Sequence, residues 1–143
     1  MKRNKGFTLV ELMIAILIVG VLAAVVAPIA RGRINTAKWA EANATAGTLK
    51  TALRAYLGTT DPDKTDFSEV EGSLGNSSIA SSLGFTAESL NGTYFNQSDY
   101  TISDVNGANG TCVITVTSTH AQGPPGTGVL AADGAWSITA GGG

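Results

Sequence analysis

An apolar run of 24 residues, Phe7 to Ala30, constrains this 143-residue chain more than any other feature. Only Thr8, Glu11, Gly20 and Pro28 interrupt it. As a helix it would measure about 36 Å, enough to cross a bilayer hydrocarbon core of about 30 Å with some tilt. Before it stands Met1-Lys2-Arg3-Asn4-Lys5-Gly6, which carries three basic side chains. A secretory signal peptide or a plain anchor is the simplest reading, and three details resist it. The charged leader is very short. The run is too long for an ordinary signal-peptide core, and no small-residue cleavage site follows it cleanly. Glu11 places one carboxylate inside an otherwise lipid-soluble stretch, where an ionisable group is costly and therefore marks function by default. No Lys or Arg lies between Phe7 and Ala30 to pair with it. The natural cation is an α-amino group released by cutting before Phe7, on the same chain or on a neighbour.

Gly6-Phe7-Thr8-Leu9-Val10-Glu11 followed by an apolar helix resembles the processing site of type IV pilins and type II secretion pseudopilins, whose precursors carry class III signal peptides. The resemblance implies a cut between Gly6 and Phe7 by a membrane aspartyl prepilin peptidase, with N-methylation of Phe7. It makes Glu11 the assembly glutamate, acting with Phe7 and Thr8. It also puts Gly20 and Pro28 where many pilins carry a helix-weakening glycine and proline. The expected fold is then the α+β ladle of pilins: a long N-terminal helix packed on a small C-terminal antiparallel sheet of three or four strands. The implied partners are other copies of the chain in a helical homopolymer, the peptidase, an assembly platform in the inner membrane, and the membrane itself before assembly. The filament would be extracellular.

Beyond the first thirty residues the resemblance is architectural, and the residues speak for themselves. The organisation read from them is a leader at 1–6, a helix at 7–57 whose first part (7–30) is apolar and whose second (31–57) is amphipathic, a connecting loop at 58–84 and a β-sheet head at 85–143. Trp39, Ala42, Ala46, Leu49, Leu53 and Tyr56 recur at spacings of three and four, which places them on one helical face, while Arg33, Lys38, Lys50 and Arg54 lie largely off it. Gly58 and then Pro62 form a stop signal. Pro28 would either loosen a turn, because its ring crowds the Ala24 carbonyl, or be tolerated as membrane-helix prolines are.

The head reads as Thr93-Tyr94-Phe95, then Tyr100 to Val105, a hairpin loop at Asn106–Gly110, the strongest strand from Thr111 to Ser118, and two strands, Val129 to Ala132 and Ala135 to Thr139, joined by a two-residue Asp133-Gly134 turn. A short helical turn is expected from Ser78 to Leu83, and Gly141-Gly142-Gly143 is expected to fray. The Trp39–Tyr56 stripe is the only apolar cover this reading offers the sheet.

Formal net charge is −2, and setting aside the three leader cations leaves 6 − 11 = −5. No Lys or Arg follows Lys64, whereas seven carboxylates do. An acidic head argues against a general nucleic-acid binder, which would need a basic face. Cys112 is the one cysteine, so no intrachain disulfide can form. It sits in a strand pattern, where it packs as a small hydrophobe. Many pilins close their C-terminal region with a disulfide, so here hydrogen bonds and packing must hold that loop.

Asp61, Asp63 and Asp66 have a spacing that could hold calcium, but the segment lacks the glycine and terminal glutamate of the twelve-residue loop, and a solvated acidic turn is the better reading. No other metal, cofactor or catalytic signature accompanies the lone His120, so the chain reads as a non-enzyme without cofactors. Five Asn-x-Ser/Thr triplets, at Asn43, Asn76, Asn91, Asn96 and Asn109, are a weak glycosylation signal in so Ser/Thr-rich a chain. Major pseudopilins resemble one another in a Tyr-Pro-Thr stretch after the helix and a Pro-Trp-Gly stretch further on. Neither occurs here, which favours a pilus subunit over a secretion pseudopilin. A membrane-anchored binding module that never polymerises is the alternative from another class.

Overall fold

A computed structural model of the chain describes residues 6–61 and 63–139. Met1–Lys5, Pro62 and the Gly141–Gly143 tail, and with them the calls on the leader, on Pro62 as a stop and on a frayed end, lie outside the described residues. Helix α1 spans Leu9–Leu57 and is unbroken through Gly20 and Pro28. Residues 1–36 and 37–143 form two compact units.

The first unit contains the apolar part of α1, and its large side chains from Phe7 to Ile29 are all exposed, at 53% or more. A helix that is apolar all round has no polar face to give to water, so its place is in lipid or against other apolar helices.

The second unit holds the core. The expected stripe is on the buried face: Trp39, Ala42, Ala46, Leu49 and Leu53 are buried, and Tyr56 is packed at the edge. The end of α1 is closed by hydroxyls rather than by a left-handed glycine. Thr59 and Thr60 Oγ1 both donate to the Tyr56 carbonyl at 2.9 Å, and Gly58 keeps an ordinary φ.

Five strands follow in an all-antiparallel meander: β1 (Gly72–Ser73), β2 (Tyr100–Asn106), β3 (Thr111–Thr117), β4 (Thr127–Leu130) and β5 (Trp136–Thr139), in that spatial order. Tyr100 and Ile102 from β2, Cys112, Ile114 and Val116 from β3, and Leu130 from β4 point into the core, as period-two alternation requires. The α+β architecture therefore stands, with particular corrections.

Thr93–Phe95 is not a strand. Its backbone N–H groups are taken by a carboxylate instead of a ladder: Glu41 Oε1 accepts from Tyr94 at 2.9 Å and Phe95 at 3.2 Å. The segment before the head is more than a connector. It contributes β1, a short helix α2 (Ser77–Ser82) capped by the Asn76 side chain, and the buried Phe67, Val70, Leu74, Ile79, Ala80 and Leu83. The Trp39–Tyr56 stripe is thus not the sole cover of the sheet.

Strand β4 begins two residues earlier than the sequence suggests. Gly128 belongs in the strand because the Trp39 and Trp136 rings lie where its Cβ would be, the nearest ring atoms 2.6–2.9 Å from that position. The β4–β5 connection is longer than two residues: Gly134 N–H donates to the Ala131 carbonyl and Ala131 N–H to the Ala135 carbonyl, both at 2.9 Å. Gly134 has φ +93°, so the turn is closed by a left-handed residue with a bulge. Strand β2 also carries an irregularity, at Asp104 (φ +51°). Val105 N–H, freed from the ladder, donates to Glu71 Oε1 at 2.7 Å.

Lys50, assigned off the stripe, is buried. Its Nζ donates to the carbonyls of Ala131 (3.2 Å) and Ala132 (3.0 Å). Two other helix cations act alike: Lys38 Nζ donates to Gln122 O at 2.6 Å and Arg54 Nε to Gly110 O at 3.3 Å. Asp99, also buried, accepts from Thr119 N and Oγ1 and from Asn96 N. These charge-assisted bonds tie down the loops that carry Gly110, Gln122 and Ala131–Ala132 and the segment around Thr119. Cys112 is buried, and burial pushes its thiol up.

Burial pushes the Tyr100 phenol from its ordinary value near 10 up to about 12. The folded state therefore favours the neutral phenol. Its stabilising effect is complete below about pH 10 and is lost as pH rises toward 12, a change of about 2–3 kcal/mol. Near-UV circular dichroism of wild type across pH 9–12 should show that loss. Tyr100→Phe should remove this part of the alkaline transition while the sheet persists.

Candidate assembly site

The N-terminal site is built by a helix cap. Thr8 Oγ1 accepts the backbone N–H of Glu11 at 3.2 Å, and the Thr8 carbonyl accepts from Leu12 N–H. Thr8-Leu9-Val10-Glu11 is the Thr-x-x-Glu spacing of a helix start, where a hydroxyl satisfies a donor that the first turn leaves free. The helix accordingly begins at Leu9, two residues later than a helix starting at Phe7. The signal for this cap is local: the Thr-x-x-Glu spacing itself.

The cap leaves Gly6 and Phe7 outside the helix. Phe7 is 83% exposed, and no atom lies within 4 Å of the position a Cβ on Gly6 would take. A peptidase needs its scissile bond accessible and free of the helix, and the Gly6–Phe7 bond lies in exposed, non-helical backbone. A carboxylate at Glu11, in the first helical turn, also suits the positive end of the helix dipole. Glu11 is exposed and forms no ion pair among the described residues. Around it Leu9, Val10, Leu12, Met13 and Ile14 are exposed. The site thus combines an accessible bond, a capped helix start and a lone carboxylate on an apolar surface.

Gly20 and Pro28 lie within α1 with no interruption of the helix at either. Asp61 and Asp66 each close a local turn, accepting the N–H of Asp63 and Ser68 at 3.0 Å, and no group of three potential metal-ligating side chains occurs among the described residues. Nearby, Lys64 and Tyr56 both donate to Glu69. That contact holds the Glu69 carboxyl below its usual range and raises Lys64. His120 Nδ1 accepts from Gln122 N–H at 3.2 Å. The carboxylates are not all solvated: Glu41, Glu71 and Asp99 bind backbone N–H groups, a role that charge counting does not reveal.

The family model for the prokaryotic N-terminal methylation motif matches residues 1–27. A fimbrial protein of Moraxella nonliquefaciens is 47% identical over 53 residues, a stretch covering 37% of this chain and 34% of that protein. No solved structure matches the chain. The methylation motif and the fimbrial relative together support the type IV pilin family for this chain.

Proposed function

We propose that the protein is a structural subunit of a type IV pilus-like extracellular filament, and not an enzyme. The observation that carries this reading is the exposed apolar surface of the first part of α1 bearing one carboxylate, Glu11, four positions after the open Gly6–Phe7 bond. Before assembly that surface is at home in the inner membrane. A prepilin peptidase would cut after Gly6 and methylate Phe7, and an assembly platform would then move the helix from lipid into a core of like helices. Apolar surface is buried at both ends of that transfer, so the carboxylate and the new amine decide how subunits dock. Gly20 and Pro28 would ease local adjustment of the helix during that transfer. The methylation motif and the fimbrial relative support the reading of a pilin subunit, and the missing Tyr-Pro-Thr and Pro-Trp-Gly stretches favour a pilus over a secretion pseudopilus.

Gly6→Val tests it. A β-branched side chain at the cut should crowd the peptidase, so the variant should accumulate as uncut precursor in the membrane. Electron micrographs of cells making only this variant should show no filaments of the protein. Normal filaments built from uncut Gly6→Val chains would overturn the proposal.

A further inference from the structure

Within residues 37–143 the large apolar side chains are hidden, with one departure. Exposed large hydrophobics fall at residues 7–34, except for Ile138, which is 43% exposed. Ile138 lies on β5, an outer strand of the sheet. The opposite outer strand, β1, is two residues long, and shortness itself protects an edge. Among the described residues, strand β5 has no such protection. Trp136-Ser137-Ile138-Thr139 has no charge and no proline, it keeps regular register with β4, and its last three residues are exposed. An edge of this kind offers unpaired N–H and C=O groups to another strand.

We propose that β5 pairs edge to edge, antiparallel, with β5 of a second copy of this chain. The strand is complementary to itself. Trp136 faces the core side, its ring 6.2 Å from that of Trp39, and Ile138 shares that side by alternation. A sheet continued across a two-fold axis must set residues of the same side opposite each other. With Ser137 opposite Ser137 on the axis, each Ile138 meets Trp136 of the other copy, an aromatic–β-branched pair of the kind that stabilises cross-strand contacts, and Ile138 is covered. Charge permits the same pairing. The nearest ionisable side chain in sequence is Asp133, four residues from the axis. Antiparallel pairing would send the two Asp133 residues to opposite ends, about 26 Å apart along the strands, well beyond the screening length of about 8–10 Å. A basic or acidic peptide would find no counter-charge on the strand.

This pairing does not rest on the filament reading. A two-fold contact closes on itself, whereas filaments grow by head-to-tail contacts. The edge would therefore join separate filaments side by side, or two unassembled chains.

The test is disulfide trapping in the full chain, solubilised in detergent and treated with a mild oxidant. Ser137→Cys puts two thiols across the axis, where opposite residues hold their Cα atoms about 4.5–5.5 Å apart, within the disulfide range of about 4.4–6.8 Å. The native Cys112 is 1% exposed and does not compete. Thr101→Cys, exposed but inside the sheet on β2, reports cross-linking through chance encounters or through the anchor. Ser137→Cys should form homodimers about tenfold faster than Thr101→Cys. Adding Ile138→Lys, a charge on the edge, should return the rate to the control level with an unchanged thermal melt. Ile138→Thr replaces it if the melt shifts. Equal rates for the two cysteine variants, insensitivity to the Ile138 change, or cross-linking of Ser137→Cys chiefly to a different protein would each overturn the proposal.

Discussion

Cells making only the Glu11→Gln variant should cleave and insert the protein normally yet assemble few or no filaments, as counted by electron microscopy of sheared surface material. Cleavage should be spared because the Gly6–Phe7 bond lies outside the helix. The helix start should be spared because Thr8 Oγ1 accepts from the backbone N–H of residue 11, which glutamine retains. What is lost is the negative charge. After a cut before Phe7 the new terminus carries a positive amine, and methylation keeps that charge. In a dry core of packed apolar helices an unpaired amine or carboxylate is strongly unfavourable. Pairing Glu11 of one subunit with the Phe7 amine of the next removes both liabilities and fixes axial register.

The competing arrangement is a pair within one chain. Residues four apart meet on a helix only when both are helical, and Phe7 lies before the Thr8 cap. An exposed in-chain pair would be worth about 0–1 kcal/mol, and its loss would leave assembly nearly intact. Thr8→Val is the matching control. It removes the cap at a cost of about 1 kcal/mol but keeps the charge, so filament number should fall far less than with Glu11→Gln. Normal filament number and length in the Glu11→Gln strain would refute pairing between subunits.

Deleting residues 1–30 should yield a soluble protein with a cooperative melt, because the core lies within residues 37–143. In that truncated protein Leu53→Ala should lower stability by about 2–5 kcal/mol in urea unfolding. Leu53 is fully buried, so the cost includes both lost apolar burial and the cavity left behind. A loss under about 0.5 kcal/mol, the scale of surface substitutions, would mean that this face meets other subunits instead of its own head.

The structure also shows which parts of the chain could be read in advance. Trp39, Ala42, Ala46, Leu49 and Leu53 declared a helical face because five apolar residues held one period across four turns. Strands β2 and β3 were legible from their alternation. Strand β1 was not, since two residues cannot show a period. Strand β4 was misplaced because Gly128 looks like a loop residue until two tryptophan rings are seen to require the space. Thr93–Phe95 has strand composition, yet the Glu41 carboxylate, more than fifty residues earlier, takes its N–H groups. Lys50 lies largely off the apolar stripe by its spacing, yet it is buried with two carbonyl partners. At the assembly site Glu11 stood out because a lone carboxylate in an apolar run is costly. The Thr8 cap lies in the same six residues, as the Thr-x-x-Glu spacing.

The most direct test of the central claim is mass spectrometry of the subunit in filaments sheared from the cell surface. The account predicts a chain beginning at Phe7, carrying an N-methyl group on its amine and lacking Met1 to Gly6. Filaments that do not contain the chain, or that contain it with any other first residue, would contradict it.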